Sequence, residues 1–227
     1  MITYELIKIV ATGLKNLIDN VVFVGGAFVN LYSTDNSAIY VRPTDDIDCV
    51  IEVVHLSDYN KFEEQLRKLG FKNDLEENAP ICRYVFNGIK VDFIPTKEKI
   101  LGFQNEWYPD GFKNAVSYEF PDGMNIKIFS SVYFLASKLD AFWDRGRKDI
   151  RLSTDFEDII FLLDSRKEIS EEVRNSESSV KNYIQKKFKY LINHSDITEG
   201  IISALPYGSS NLKVNQIKDL MTEMISI

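Results

Sequence analysis

Asp46-Ile47-Asp48-Cys49-Val50-Ile51 sets two carboxylates at the head of an apolar β-like run. Side chains of a strand alternate between faces, so Asp46 and Asp48 share one face while Ile47 and Cys49 share the other. Two parallel carboxylates a few ångströms apart repel each other, and hard oxygen-ligated cations such as Mg²⁺ usually neutralise them. Asp92 repeats the pattern singly inside Ile89-Lys90-Val91-Asp92-Phe93-Ile94, which otherwise reads as a core strand. Three carboxylates on neighbouring strands can hold one or two metals, and two-metal sites clamp the attacking and leaving oxygens of a phosphoryl displacement. Upstream, Val24-Gly25-Gly26-Ala27 reads as a turn between an apolar strand and a helix, where backbone N–H groups face phosphates. Singly, Asp-x-Asp and Gly-Gly are ordinary turn signals. Their order along one chain favours a divalent-metal and nucleoside-triphosphate site.

The periodicity divides the chain into an α/β half and a helical half, with a boundary near residue 129. Leu6, Ile9, Val10, Gly13, Leu14, Leu17 and Ile18 recur at helical spacing and predict a helix over the first nineteen residues. A strand follows at Val21 to Val24, then a helix at Ala27 to Tyr32 and a polar loop at Ser33 to Arg42. Asp46 to Val54 is the carboxylate-bearing strand, and Tyr59 to Leu69 a helix closed by Gly70. Asn87-Gly88 between two apolar runs signals a hairpin of Cys82 to Phe86 with Ile89 to Ile94, and Pro121-Asp122-Gly123 signals a second. Residues 97 to 115 read as irregular. Beyond Ser130, helices are predicted at Ser131 to Asp144, Thr154 to Asp164, Ser170 to Asn175, Ser178 to His194 and Lys213 to Ile225. The expected class is α+β, a mixed sheet with flanking helices over residues 1–129, followed by a mostly helical domain over 130–227.

The order Gly25-Gly26, then Arg42-Pro43-Thr44-Asp45-Asp46-Ile47-Asp48, then Val91-Asp92-Phe93-Ile94-Pro95 resembles the nucleotidyltransferase superfamily of DNA polymerase beta. Within it the chain most resembles the AbiEii-type and MenT-type nucleotidyltransferase toxins of bacterial toxin–antitoxin systems. The segment Lys138 to Asp149, with Asp155 and Asp158 beyond it, resembles that group's Lys-x-x-Ala, Arg and Lys-Asp pattern. The resemblance implies transfer of a nucleoside monophosphate from an NTP to a hydroxyl, with Mg²⁺ or Mn²⁺, an RNA end such as tRNA as acceptor, and an antitoxin protein as partner. It implies Asp46, Asp48 and Asp92 as metal ligands, with Asp92 also drawing the proton from the acceptor hydroxyl. Gly25 and Gly26 would cradle the triphosphate, and Lys138, Arg145 and Lys148 would neutralise the departing pyrophosphate, in a cleft between the two halves. Asp45 alternates away from Asp46 and stays outside the ligand set. Relatives commonly place Ser or Thr where this chain has Gly26 and Ala27, so phosphate binding here falls to backbone N–H groups, the metal and basic side chains, Lys138 or Arg42.

Several of these residues have a plainer reading. Lys138 also fits a solvated helix position, Arg145 to Arg151 fits a surface network with Asp149, Asp155 and Glu157, and Arg42 fits a loop anchor. The stretch Ser178 to Ser195 has no acidic residue and interleaves Lys181, Lys186, Lys187 and Lys189 with Tyr183, Phe188 and Tyr190. That combination suits phosphates and a stacked base, or an amphipathic helix with Tyr183, Ile184, Phe188, Leu191 and Ile192 buried.

The 227 residues, 44% hydrophobic, suffice for a substantial core, and the net charge of −7 argues against a protein that coats nucleic acid non-specifically. There is no apolar run of membrane-spanning length and no secretory signature at Met1-Ile2-Thr3, so a cytoplasmic setting is expected. Cys49 and Cys82 read as buried free thiols, and His55 and His194 as too scattered for a metal cluster. Two further functions stay open: a small-molecule nucleotidyltransferase of the antibiotic-modifying kind, and a catalytically weak module that binds a nucleotide or partner protein.

Overall fold

The computed structural model describes residues 2–35, 44, 46–53, 55–101 and 105–227. It divides into two compact units, Met1–Phe28 with Val41–Ser130, and Val29–Tyr40 with Ser131–Ile227.

In the first unit, seven strands among the described residues form one mixed sheet: β1 (Val21–Val24), β2 (Asp46–Ile51), β3 (Lys72–Asn73), β4 (Arg83–Phe86), β5 (Ile89–Pro95), β6 (Val116–Glu119) and β7 (Asn125–Ile128), in the order β3-β4-β5-β2-β1-β7-β6. The central strands carry the apolar runs, as expected where both faces are covered. β2 is antiparallel to β1 and parallel to β5, with Asp48 opposite Val24 on one side and Asp92 on the other. The β4–β5 hairpin turns at Asn87 (φ 49°) and Gly88 (φ 80°), left-handed at both positions as a type I′ turn requires. A two-residue turn leaves no freedom of register, so Arg83 falls opposite Asp92.

Helix α1 (Ile2–Leu14) and helix α2 (Leu56–Lys68) belong to the same unit. α2 buries Tyr59, Phe62 and Leu66, and Phe62 meets Phe93 edge-on at 5.5 Å. Phe93 points away from Asp92, so α2 seals the sheet face opposite the carboxylates. The α+β class is as the sequence indicates, with local differences. α1 stops at Leu14 because Lys15 turns left-handed (φ 49°), and Lys15–Asn20 continues as 3₁₀ helix. α2 starts three residues before the expected Tyr59, where the Asp58 carboxylate accepts from the His55 N–H at 3.1 Å. The segment expected to be irregular holds two short helices, α3 (Glu98–Leu101) and α4 (Tyr108–Lys113).

The second unit is helical: α5 (Ser131–Ala141), α6 (Thr154–Ser165), α7 (Ile169–Arg174), α8 (Ser178–Leu191), α9 (Ile197–Ala204) and α10 (Asn211–Ile225). α5 is buried on every side from Ser131 to Leu139, the behaviour of a central helix rather than a surface one. It passes into a π-turn at Phe142–Gly146 rather than running on as α-helix to Asp144. Tyr32 belongs here, its ring 4.4 Å from Phe134 and its carbonyl accepting from Arg166 at 2.9 Å. No described helix is long and apolar enough to cross a membrane.

Candidate functional site

The strand pairing converts sequence spacing into a carboxylate cluster. Asp46 and Asp48 alternate onto one face of β2, and the parallel register brings Asp92 beside Asp48 on that face. One oxygen from each of Asp46, Asp48 and Asp92 lies within 4.8 Å of the other two. Octahedral Mg²⁺, at about 2.1 Å from each ligand, needs oxygens about 3–4 Å apart, so only a small contraction separates this cluster from a coordination sphere. The donor set, all hard oxygen, suits the same ions. Asp92 is 6% exposed, whereas Asp46 and Asp48 are half-buried, which opens the cluster to solvent from the β2 side.

Gly25 closes the other side. Its φ of 92° is the left-handed geometry glycine favours, and a Cβ there would sit 2.1 Å from Asp48 Oδ2. The expected cradle is therefore a tight turn pressed against a candidate metal ligand. After this turn the chain is helical as expected, in 3₁₀ form over Gly26–Tyr32. Gly25→Ala should lower stability by about 1–3 kcal/mol through left-handed strain and displacement of the Asp48 carboxylate. Urea unfolding measures it, and an unchanged midpoint would mean the backbone does not approach Asp48 this closely.

One residue of the cluster escaped the sequence reading. Arg83 grips Asp92 with both arms of its guanidinium, Nε to Oδ1 and Nη2 to Oδ2, each at 2.7 Å, and Nη2 also reaches Asp46 Oδ2 at 2.6 Å. The Asp92 hydrogen bonds, ahead of any Coulombic attraction, raise its pKa above the ordinary arginine value. The signal was in the sequence: an Asn87-Gly88 two-residue turn pairs 83 with 92. Arg42, expected to bind phosphate, and the excluded Asp45 lie outside the described residues.

Two more predicted site residues, Lys138 and Arg145, meet in a second cluster within the helical unit. Lys138 on α5 is 7% exposed, with Nζ 2.6 Å from Asp158 Oδ2 and 3.1 Å from Asp155 Oδ1. A solvated helix position for Lys138 is thus overturned. Arg145, its side chain 67% exposed, forks onto Asp155 from the solvent side (2.7 and 3.0 Å), so two cations balance the two buried carboxylates. Burial pulls the Lys138 pKa down, but Asp158 and Asp155 outweigh it and leave it above the usual lysine value. Asp155 is pushed up by burial and held below the usual carboxylate range by Arg145 and Lys138. Lys148 is exposed in the turn after the π segment, and Arg151 pairs with Asp149 at 2.9 Å.

On α8, Val180, Ile184, Phe188 and Leu191 are buried, while Lys186, Lys189 and Tyr190 line its outer side. Lys187 does not join the solvated lysines: its Nζ lies 3.8 Å from the Trp143 ring centroid and 4.9 Å from that of Tyr183. Arg147 stacks 5.3 Å from the same indole, and Tyr190 meets it edge-on at 4.6 Å. Lys186, Lys189, Tyr190, Asn193 and His194 line a shallow pocket beside them. Cys49 and Cys82 are buried free thiols, as expected, with burial pushing Cys82 up to about 12.

No family model matches the chain, and no curated protein matches it. Among solved structures, a provisionally assigned nucleotidyltransferase from H. pylori is similar over 99% of this chain and 95% of its own, at 11% identity and a TM-score of 0.46. A similarity of that degree carries no inference about activity.

Proposed function

We propose that this chain is a metal-dependent nucleotidyltransferase that moves a nucleoside monophosphate from an NTP to a hydroxyl. The observation that carries this reading is the meeting of Asp46, Asp48 and Asp92 on one sheet face, against a glycine turn that leaves no room for a side chain. Asp46, Asp48 and Asp92 would hold Mg²⁺ or Mn²⁺. When bound, such an ion polarises a phosphoryl oxygen and lowers the pKa of an attacking hydroxyl. Asp48, fixed by the Gly25 turn, orients the ligand set. Asp92 accepts from Arg83 through both oxygens and keeps a further lone pair on each, by which it would face the metal and the acceptor's proton with the fork in place. Gly25 and Gly26 offer backbone N–H groups to the triphosphate. For Lys138, Arg145, Lys148 and Arg42 the support for a phosphate-neutralising role is the motif resemblance, while Asp155 and Asp158 hold Lys138 and Arg145 within the helical unit.

The acceptor we favour is an RNA end such as tRNA, in a toxin role opposed by an antitoxin protein. Its support beyond the motif resemblance is the α8 surface, where Lys186 and Lys189 flank an aromatic cluster. A second reading, a catalytically weak binding module, draws on one specific observation: Arg83 already occupies both Asp92 oxygens and reaches Asp46.

Incubation with each α-labelled NTP, Mg²⁺ and total cellular RNA should move label into RNA with one nucleotide preferred. Label in no RNA and no small molecule, with any NTP, would leave the binding module. Replacing Lys186 and Lys189 by Gln should weaken RNA binding and flatten its logarithmic salt slope by about two units, one per phosphate contact. An unaltered slope would return α8 to a solvated helix face.

A further inference from the structure

We propose that Arg83 is the resident cation of the carboxylate cluster, and that a divalent ion enters only by displacing its guanidinium from Asp46. This inference rests on the metal-site reading above. Three carboxylates confined within 4.8 Å repel one another, yet Asp92 is almost fully buried and would need a compensating charge whenever no metal is present. Arg83 supplies it. The hairpin register fixes Arg83 opposite Asp92, and a guanidinium fork matches a carboxylate edge for edge, so the bidentate grip is the stable half of the arrangement. The bond from Nη2 to Asp46 Oδ2 is single and lies on a carboxylate whose side chain is 36% exposed, which makes it the half that yields.

The consequence is a competition. With Arg83 in place the cluster carries two net negative charges rather than three, enough for one divalent ion and poorly matched to two. An ion entering beside Asp46 and Asp48 meets a guanidinium a few ångströms away and must overcome like-charge repulsion as well as one charge-assisted hydrogen bond. Arg83 thereby holds the metal-free protein assembled at the expense of metal affinity. It acts through the carboxylates and not on the reacting atoms, which makes it a positioning residue.

The test is calorimetric titration of nucleotide-free protein with Mn²⁺, paired with the melting temperature of the metal-free form. Arg83→Met should bind Mn²⁺ at least about tenfold more tightly than the wild type, equivalent to ~1.4 kcal/mol, and should melt lower without metal. Its melting temperature should then rise more steeply with added Mn²⁺. Arg83→Gln, neutral but still able to donate to one carboxylate, should show the same tightening and serves if the Met variant does not fold. Neutral variants that bind Mn²⁺ as the wild type does, or more weakly, would overturn the proposal and make Arg83 a scaffold that assembles the ligands. Asp48→Asn separates the two levels of inference: if wild type, Arg83→Met and Asp48→Asn all ignore millimolar Mn²⁺, the metal site itself fails, and the competition with it.

Discussion

Lys138→Ala should cost about 3–5 kcal/mol of unfolding free energy, the loss typical of breaking a buried ion pair from one side. The substitution leaves Asp158, 0% exposed, without the ammonium 2.6 Å away, while Arg145 continues to serve Asp155. Chemical denaturation measures the loss. Restoring apolar packing by combining Lys138→Met with Asp158→Leu should recover most of it, because the penalty lies in the stranded charge and not in missing attraction. The pH dependence is set by the signs of the shifts. Lys138 is raised above 10.5, so its contribution is complete below that pH and is lost as pH rises through its folded value. Asp155 is lowered below 3.8, so its contribution is complete above that pH and is lost as pH falls through its folded value. The contribution of these two groups should therefore hold a plateau between about pH 4 and pH 10. A loss under about 1 kcal/mol would mean that water reaches this cluster.

The same residue shows what the sequence could tell. From Val132 to Leu139 α5 lacks a clear polar stripe, and a helix apolar all round is a buried one. A lysine in it requires carboxylate partners, and the Asp155 and Asp158 that supply them stand at i,i+3 spacing on a neighbouring helix. Local signals served best where geometry is local: strand alternation put Asp46 and Asp48 on one face, and the Asn87-Gly88 turn gave the hairpin. The parallel pairing of Asp48 with Asp92 is not local, since it joins strands separated by α2, β3 and β4. It came from motif order rather than from pattern. Gly200 hid α9, because a mid-sequence glycine weakens a helix signal; the reason for it is tertiary, a Cβ there lying 3.1 Å from Ile150 side-chain carbons. The 3₁₀ form of Gly26–Tyr32 likewise has no signature in its residues, whereas the place of Arg83 was readable from the register that an I′ turn imposes.

Asp48→Asn and Asp92→Asn should separate chemistry from folding within a single cluster. Each removes one carboxylate from the candidate ligand set, so each should lower nucleotidyl transfer by about 10³-fold or more, corresponding to several kcal/mol of lost transition-state stabilisation. Their stabilities should diverge. Asp92 is the nearly buried anchor of the Arg83 fork, and neutralising it weakens two charge-assisted hydrogen bonds at 2.7 Å. A loss of about 1.5–3 kcal/mol is expected for Asp92→Asn. Asp48 is half-buried and lies outside the bidentate fork that Arg83 makes on Asp92. Removing its charge relieves repulsion within the triad, and Asn keeps the shape that the Gly25 turn packs against, so Asp48→Asn should stay within about 0.5 kcal/mol of the wild type or exceed it. Thermal unfolding of the metal-free proteins decides between the two. Equal destabilisation by both variants would mean that Asp48 is a structural member of the Gly25 turn, and that its place in the carboxylate cluster reflects folding rather than catalysis.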